Sequence, residues 1–463
     1  MCASADTVSF SVLRPEPLEH PGSHAYTIRA IAHGYPLTYT PVTEIDSIHA
    51  RLLKTFQSGK TRPLAYRRHQ LLQLARLARD NAPALEAALF ADLNKPRFES
   101  TLHEVTVITN NALGAAEHLE EWAKPEKPEV AAWRSTWDTT AYKCPKGLAL
   151  IIAPWNYPFV LVMNPFVGAI AAGCTWAHIL FTGSITVGRI VAAAAAKFVT
   201  PMTLELGGKS PVIIDPDFDD LDLAAKRILH GRLQNSGQLC VSPDYVLVPR
   251  QKVDAFVASL RKAHDTFLPD GPFHENAQLS KIINRSHHAR LLGLLERTKG
   301  EIVLGGQHDG DRRLAPTVVK NVQLDDALME NEIFGPIIPL IAVDDVDHAI
   351  SIVRQRPIPL ALYAFTNSEE VKNKLVEQTE SGALALNDTW TQTATSEIPF
   401  GGQGDSGYGG YYSKASFDTF THIRAYTNVP PGDEPHMLGR YHPYTPESLE
   451  ANLAVVMPKI PDA

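Results

Sequence analysis

The strongest constraint on the fold of this chain is the alternation of short, continuous apolar runs with segments of helical periodicity. Residues 147–152 are apolar throughout, and a segment with small residues on one side follows at 159–172. A second apolar run at 179–181 precedes a helical pattern over 187–198, and a third strand is predicted over 203–206. Such runs are typical of strands buried on both faces, and their alternation with helices predicts a parallel sheet in an α/β fold.

Further strands and helices are predicted on both sides of this region. The chain has 463 residues, which is too long for one ordinary core and favours two or three domains. Residues 44–122 are mainly helical, and we expect their charged side chains to form a solvated face. A second series of strands, interleaved with helices, is predicted near Val246 and Ile302 and over residues 339–343, 361–365 and 383–386.

Bulk charge and cysteine content exclude several classes of protein. The net charge of −8 provides no general attraction for nucleic acid or an anionic membrane. The four cysteines form no Cys-x-x-Cys pair and the 18 histidines show no ligand spacing, so we expect reduced thiols, a cytoplasmic location and no metal site. Prolines and asparagines interrupt the apolar stretch 147–172, which argues against a transmembrane anchor.

One cysteine occupies a position that suits a reactive group. The segment Asn235-Ser-Gly-Gln-Leu-Cys240 follows a helical pattern and precedes a β-branched strand at 245–248. Short loops between regular elements often present reactive side chains on a rigid scaffold. A thiolate at Cys240 could therefore attack an electrophilic carbon. The alternative is that Cys240, like most free cysteines, is a small buried hydrophobic residue.

Two other residues could assist such a thiolate, and one turn could bind a pyrophosphate. Glu205 ends a predicted strand, where it could accept a proton from the thiol or from water, or could simply form a surface ion pair. Asn156, in a turn bounded by prolines, could stabilise an oxyanion together with the backbone N–H of Cys240, or serve only the turn. Gly183 and Ser184 join a strand to a helix and suit a pyrophosphate, although a plain tight turn is equally compatible.

Six motifs in a fixed order resemble the aldehyde dehydrogenase superfamily, and within it the short, class 3, fatty-aldehyde-type branch. The resemblance extends from about residue 44 to about residue 445. The motifs are Ala153-Pro-Trp-Asn-Tyr-Pro-Phe159, Phe181-Thr-Gly-Ser184, Leu204-Glu-Leu-Gly-Gly-Lys-Ser-Pro211, Asn235-Ser-Gly-Gln-Leu-Cys240, Glu332-Ile-Phe-Gly-Pro336 and Pro399-Phe-Gly-Gly402, the last followed by Ser416-Phe-Asp-Thr-Phe420.

This resemblance implies a role for each motif. Cys240 would be the nucleophile, Glu205 the general base and Asn156 the oxyanion donor, while Tyr157 would line the aldehyde tunnel. The implied reaction is the NAD- or NADP-dependent oxidation of medium-chain, long-chain or aromatic aldehydes to carboxylic acids, through a thiohemiacetal and a thioester of the cysteine. The residues implied to bind the dinucleotide are Trp155, Gly183, Ser184, Glu332 and Phe334.

The resemblance also implies a division of the chain into five parts. We expect two parallel-sheet α/β domains and an arm through which a homodimer forms. The predicted parts are an irregular extension at 1–43, a truncated dinucleotide-binding domain at 44–206 with an arm hairpin at 130–145, a catalytic domain at 207–400, an oligomerisation arm at 401–430 and a C-terminal tail at 431–463.

The resemblance breaks after Gly173. Family members continue with a strand, a Lys-Pro-Ser-Glu motif, a helix and another strand, whereas residues 174–177 here lead directly into the apolar run at 178–183. Roughly one βαβ unit, ~30 residues or more, is missing, together with the lysine that would bind the adenosine ribose. The alternative to an active enzyme is therefore a dehydrogenase-dead homologue, or a splice or gene-model variant, with at most residual thiol esterase activity.

The missing unit has structural consequences for the cofactor domain. A right-handed crossover cannot be made in five residues, so we predict that the apolar strands at 147–152 and 179–181 are not adjacent parallel partners. We also expect an incomplete cofactor sheet with exposed apolar neighbours.

Overall fold

The structure is a computed structural model that describes residues 39–174, 177–437 and 439–457. Most of the predicted N-terminal extension and the last six residues of the tail lie outside the described residues. Within them, the α-helices are α1 (Val42–Gln57), α2 (Leu64–Asp80), α3 (Ala82–Leu93), α4 (Arg97–Ser100), α5 (Thr106–Ala123), α6 (Val160–Ala172), α7 (Ile185–Ala196), α8 (Leu221–Leu233), α9 (Val253–Phe267), α10 (Arg285–Arg297), α11 (Val346–Arg354), α12 (Glu369–Gln378), α13 (Ser413–Thr419) and α14 (Pro446–Val456).

The strands form three sheets. The strands of the described part are β1 (Asp138–Pro145), β2 (Leu148–Ile152), β3 (Ala177–Gly183), β4 (Met202–Leu206), β5 (Pro211–Ile214), β6 (Tyr245–Pro249), β7 (Glu301–Leu304), β8 (Thr317–Lys320), β9 (Ile337–Val343), β10 (Ala361–Phe365), β11 (Ala383–Leu386), β12 (Gly407–Tyr408) and β13 (Thr421–Asn428). A seven-stranded sheet has the order β11-β10-β5-β6-β9-β8-β7, a four-stranded sheet has the order β12-β4-β3-β2, and β1 pairs with β13.

Both larger sheets are mainly parallel, which confirms the predicted α/β fold class. In the seven-stranded sheet β7 alone is antiparallel to its neighbour, and in the four-stranded sheet β12 runs antiparallel to β4. The fully buried strands β5, β6 and β10 form the middle of the larger sheet. The sequence analysis did not identify β5 and β8.

The four-stranded sheet corrects one prediction. The strands β2 and β3 are adjacent parallel partners, with Leu148 opposite Ala177 and Ile152 opposite Phe181. The helix α6, which lies between them in the sequence, provides the crossover, so the short link after Gly173 needs only to lead from the helix into β3. The expectation that these strands could not pair was therefore wrong. The strand β2 is only half-buried after Leu148, because it forms the edge of this sheet.

The C-terminal end of α6 is held by α2 and by the turn before it. Arg67 is buried and donates from Nη1 to the carbonyl of Ala171 at 3.2 Å and from Nε to the carbonyl of Thr61 at 3.0 Å. Thr61 in turn donates from Oγ1 to the carbonyl of Gly173 at 3.0 Å. At Gly173 the backbone is left-handed, with φ of 78°, and a side chain would collide with the guanidinium of Arg67. These bonds satisfy carbonyl groups that the helix leaves free.

The region around β3, β4 and α7 has a small core and exposed apolar side chains. Phe181, Leu204 and Leu206 form a separate buried cluster of three residues. Beside it, Ile190 of α7 is 65% exposed and Phe198 is 81% exposed. This agrees with the expectation of exposed apolar neighbours. Of the helices in the described part, none combines the length and the apolar character that crossing a membrane requires.

We predict opposite stability effects for alanine at two helical glycines. A Cβ at Gly168 of α6 would lie 2.9 Å from the backbone carbonyl of Ser416 in α13. Gly168→Ala should lower the free energy of unfolding by roughly 1–3 kcal/mol, because overpacking displaces the neighbouring helix. Gly114→Ala in α5 is the matched control, where no described atom lies within 4 Å, and it should raise that free energy by about 0.5–1 kcal/mol. Urea unfolding followed by circular dichroism measures both, and an unchanged Gly168→Ala midpoint would contradict the close helix contact.

Candidate active site

Cys240 lies in a short, strained loop between α8 and β6. Asn235 and Ser236 have φ of 47° and 52°, in the left-handed region that residues other than glycine rarely adopt. Gly237 follows with φ of 74°, and a side chain there would lie 2.6 Å from the carbonyl carbon of Gly335. The chain therefore makes a tight turn directly before the cysteine, as the predicted loop between two regular elements requires.

Glu205 reaches the thiol from the end of β4 in the other sheet. Its Oε1 accepts from Sγ of Cys240 at 3.7 Å, and its Oε2 accepts from Oγ1 of Thr182 at 3.1 Å and from the hydroxyl of Tyr411. Burial raises the pKa of Glu205, while the hydrogen bonds from these three side chains oppose that rise. The site thus joins one carboxylate and one thiol from two different sheets.

The thiol is neutral in this environment. Burial raises the pKa of Cys240 well above its usual value, and the nearby carboxyl groups of Glu205 and Glu332 raise it further. By surface area, however, the residue is only half-buried. A thiol of this kind becomes a nucleophile only when a base removes its proton during the reaction. Glu205 is the described group that contacts the sulfur and can act as that base.

Asn156 lies in the turn between β2 and α6 and contacts the cysteine loop. Its Nδ2 donates to the carbonyl of Gln238, two residues before Cys240, at 3.0 Å. The backbone carbonyl of Asn156 accepts from Nζ of Lys95 at 3.3 Å and from Nδ2 of Asn235 at 2.9 Å. The structure therefore brings the amide of Asn156 to the loop that carries the thiol.

Tyr157 is the next residue of that turn, and its hydroxyl is buried. No described residue forms a hydrogen bond with this hydroxyl. Burial raises the pKa of Tyr157 well above its usual value, with smaller contributions from Glu99, Glu104 and Cys240. The phenol stays protonated near the thiol, where it can donate or accept a hydrogen bond or act as an apolar wall.

The candidate dinucleotide residues form two groups along one sheet edge. Gly183 and Ser184 follow β3, and Ser184 caps α7 by accepting at Oγ from the N–H of Val187 at 3.4 Å. In the register of β3 with β4, Gly183 is opposite Leu206, which is the residue before Gly207. Carboxyl ends of neighbouring parallel strands meet at one edge, so the turn and the end of β4 lie side by side.

Glu332 lies against the end of β4. A side chain at Gly207 would lie 2.8 Å from the carboxyl carbon of Glu332, so only glycine fits there. Burial, with a smaller contribution from Asp244, raises the pKa of Glu332 to about 8, and its Oε1 is buried without a hydrogen-bond partner among the described residues. An unpaired buried oxygen of this kind is costly unless a ligand donates to it.

Trp155 and Phe334 are the aromatic members of the candidate dinucleotide-binding residues. Their ring centroids are 5.5 Å apart in an edge-to-face arrangement, and His287 lies 5.6 Å from Trp155 on its other flank. Phe334 has φ of 49°, a left-handed conformation that costs about 1–3 kcal/mol at a residue other than glycine. The resemblance placed both aromatic residues on the cofactor side, and the structure brings them together.

Several buried charged and polar residues were missed in the sequence analysis. Thr182 and Tyr411 both donate to Glu205, and no sequence pattern marks a contact between residues so far apart in the chain. The charges of the helical N-terminal region were expected to be solvated, but Lys95, Glu99 and Glu104 are buried. That expectation was wrong at these positions because they lie under the site, where tertiary contacts replace water.

The described residues contain no cluster of three or more histidine, cysteine, aspartate or glutamate side chains that could hold a metal ion.

Two largely parallel sheets, with a cysteine, a glutamate and an asparagine where they meet, are the arrangement of an α/β oxidoreductase. The Aldehyde dehydrogenase family model matches residues 38–178 and 175–426. The chain belongs to the aldehyde dehydrogenase family.

Relatives and solved structures agree with this assignment. Aldehyde dehydrogenase family 3 member B1 from Bos taurus is 39% identical over 452 positions, covering 87% of this chain and 95% of that protein. The substrate-bound state of Staphylococcus aureus AldH has a TM-score of 0.83 at 31% identity and covers 89% of this chain and 99% of that one. The structure of 3,6-anhydro-L-galactose dehydrogenase in complex with NAP has a TM-score of 0.75, covers 84% of this chain and 92% of that one, and at 20% identity shows the fold alone.

A buried carboxyl group beneath the site predicts a pH-dependent stability. Glu99 accepts the N–H of Asn235 at Oε2, at 2.9 Å, and burial raises its pKa to about 7, partly offset by Lys95. Because the folded-state pKa lies above the ordinary value of 4.5, the unfolded chain releases this proton first, and stability falls as the pH rises from about 4.5 to about 7.

We therefore expect Glu99→Gln to remove this loss. The melting temperature of the variant, relative to wild type, should rise between pH 5 and pH 7 and stay constant above that range. Glu129→Gln, which neutralises an exposed glutamate, is the control and should show no such trend. A constant difference between Glu99→Gln and wild type across the range would contradict the raised pKa.

Proposed function

We propose that this protein oxidises aldehydes to carboxylic acids through Cys240, with NAD or NADP as the hydride acceptor. The observation that carries the proposal is the contact of 3.7 Å between Sγ of Cys240 and Oε1 of Glu205, in a chain of the aldehyde dehydrogenase family. The resemblance to the class 3 branch supports medium-chain, long-chain or aromatic aldehydes as substrates.

Each catalytic side chain has a distinct task in this reaction. Glu205 takes the proton of Cys240 as the sulfur attacks the aldehyde carbon, and the negative charge moves to the aldehyde oxygen. The amide of Asn156 and the backbone N–H of Cys240 donate to that oxygen. After the hydride is lost, Glu205 passes the thiol proton to solvent and can then take a proton from the water that attacks the thioester. The sulfur regains a proton as the carboxylic acid leaves.

The residues of the cofactor side fit a dinucleotide. Glu332 has a buried oxygen that a ribose hydroxyl would satisfy, and Gly207 leaves room for its carboxylate. Gly183 and Ser184 would hold the pyrophosphate at the start of α7, where the helix dipole favours an anion. Trp155 and Phe334 would cover the nicotinamide end, with Tyr157 on the aldehyde side. The bound dinucleotide would supply the hydride acceptor.

We predict that activity depends on Cys240. Cys240→Ser should reduce aldehyde-dependent NADH or NADPH formation by at least about a thousandfold, because the hydroxyl is a far weaker nucleophile than the thiolate. Cys144→Ser on β1 is the matched control and should keep full activity, since Cys144 lies in the two-stranded sheet away from the site. Rates with hexanal, decanal and benzaldehyde measure the effect, and residual activity of Cys240→Ser near that of wild type would exclude this mechanism.

A second candidate is a dehydrogenase-dead homologue with cofactor-independent thiol esterase activity. The family model matches in two pieces that meet at residues 175–178, where the resemblance breaks. The alignment with the bovine relative has 452 positions but covers 87% of the 463 residues, or about 400, so about 50 positions of it face gaps in this chain. We infer that part of the cofactor domain, including its adenosine side, is missing.

Calorimetry and ester hydrolysis together distinguish the two candidates. We expect the first candidate to bind NAD or NADP and to form NADH or NADPH from an aldehyde. The second predicts no heat of dinucleotide binding, and a burst of 4-nitrophenol from 4-nitrophenyl acetate in wild type but not in Cys240→Ser. Equal ester rates in wild type and Cys240→Ser would dismiss the thiol esterase.

We also propose that the protein forms a homodimer in the cytoplasm. The ribbon of β1 and β13 exposes Tyr142, Ile423 and Tyr426, and an isolated two-stranded ribbon is marginally stable unless another surface covers it. Cys144, Cys174 and Cys240 are free thiols, as expected in a reducing compartment.

A further inference from the structure

A buried ion pair lies behind the candidate site. The side chains of Lys95 and Glu104 are fully buried, and Nζ of Lys95 lies 2.5 Å from Oε1 of Glu104. Nζ also lies 3.4 Å from the ring centroid of Tyr157. Taking two charges out of water is so costly that apolar residues in their place are often neutral or stabilising. The pair therefore calls for an explanation other than stability.

The pair forms hydrogen bonds with both ends of the turn that carries Asn156. Nζ of Lys95 donates to the backbone carbonyl of Asn156 at 3.3 Å. Oε2 of Glu104 accepts the N–H groups of Phe159 at 2.9 Å and Val160 at 3.2 Å, where α6 begins. These N–H groups have no partner within the helix, and a carboxylate at a helix N-terminus is also favoured by the helix dipole.

The cysteine loop also forms hydrogen bonds with this turn. Nδ2 of Asn235 donates to the carbonyl of Asn156 at 2.9 Å, so that carbonyl receives bonds from Lys95 and from the loop. In the opposite direction, Nδ2 of Asn156 donates to the carbonyl of Gln238 at 3.0 Å. The strained left-handed backbone of Asn235 is held by Glu99, which accepts its N–H. The position of the Asn156 amide relative to Cys240 thus depends on the buried charges.

We propose that the Lys95–Glu104 pair is a positioning device that fixes the amide of Asn156 for oxyanion stabilisation at Cys240. This inference rests on the proposed function. Among the described contacts of Lys95 and Glu104, none is to the sulfur or to the carboxylate of Glu205, so Lys95 acts through the carbonyl of Asn156. Oxyanion donors are effective only when they are held in place before the charge develops, and small displacements are expensive.

The first test measures the hydrolysis of 4-nitrophenyl acetate through Cys240, which needs no dinucleotide. Lys95→Met should lower kcat by about 10- to 100-fold with KM changed less than about threefold, because the donor is misplaced while the ester still binds. Lys127→Met, which breaks an exposed lysine–aspartate pair, is the matched control and should match wild type. In an Asn156→Ala background, Lys95→Met should have little further effect. Equal fold losses in both backgrounds would overturn the proposal.

A second variant tests whether the fall in kcat comes from a loss of folding. Lys95→Met leaves the carboxylate of Glu104 buried and unpaired, whereas Lys95→Met/Glu104→Gln leaves no unpaired charge. The double variant should retain the circular dichroism spectrum of wild type and show the same fall in kcat. A double variant with the full wild-type kcat would overturn the proposal.

A crystal structure of the double variant distinguishes failure of the positioning role from failure of the proposed function. A displacement of the Asn156 amide from Gln238 by about 1 Å or more would support the positioning role. That support would hold even if Cys240→Ser hydrolysed the ester as fast as wild type, a result that would refute the proposed function alone. An unmoved Asn156 would overturn the positioning role whatever the ester rates.

Discussion

The contact between the thiol of Cys240 and the carboxylate of Glu205 is the interaction on which the rest of the site depends. Burial raises the pKa of both groups, so the site holds a neutral thiol whose proton can move only a short distance. Thr182 and Tyr411 donate to the second carboxylate oxygen and hold it in place. In the proposed function, the thiolate would therefore form only when Glu205 takes this proton.

The two sheets contribute different parts of this arrangement. Glu205 ends β4 of the four-stranded sheet, while Cys240 precedes β6 of the seven-stranded sheet. Glycines allow the backbones that follow Glu205 and precede Cys240 to come close to the segment 332–335. At Gly207 the carboxylate of Glu332 fills the space of a side chain, and at Gly237 the backbone of Gly335 does so. Close approach of this kind is the physical reason for glycine at both positions.

The interruption of the resemblance after Gly173 bears on one half of the candidate site more than on the other. The residues around the sulfur lie outside the link at 174–177, and α6 supplies a complete crossover between β2 and β3. The acyl chemistry proposed for Cys240 therefore has its supporting contacts within the described residues. The adenosine half of a dinucleotide would lie toward the edge strand β2, where the resemblance implies that a βαβ unit is absent.

The sequence by itself determined the α/β class and the local position of the cysteine, because apolar periodicity and turn residues report the immediate surroundings of each residue. The motifs added their roles only through resemblance. Tertiary structure alone decided that β2 and β3 pair, that Tyr411 holds Glu205, and that Lys95 is buried beneath Asn156. These depend on contacts between distant parts of the chain, and a lysine in a polar helical region has the same local pattern whether water or a carboxylate surrounds it.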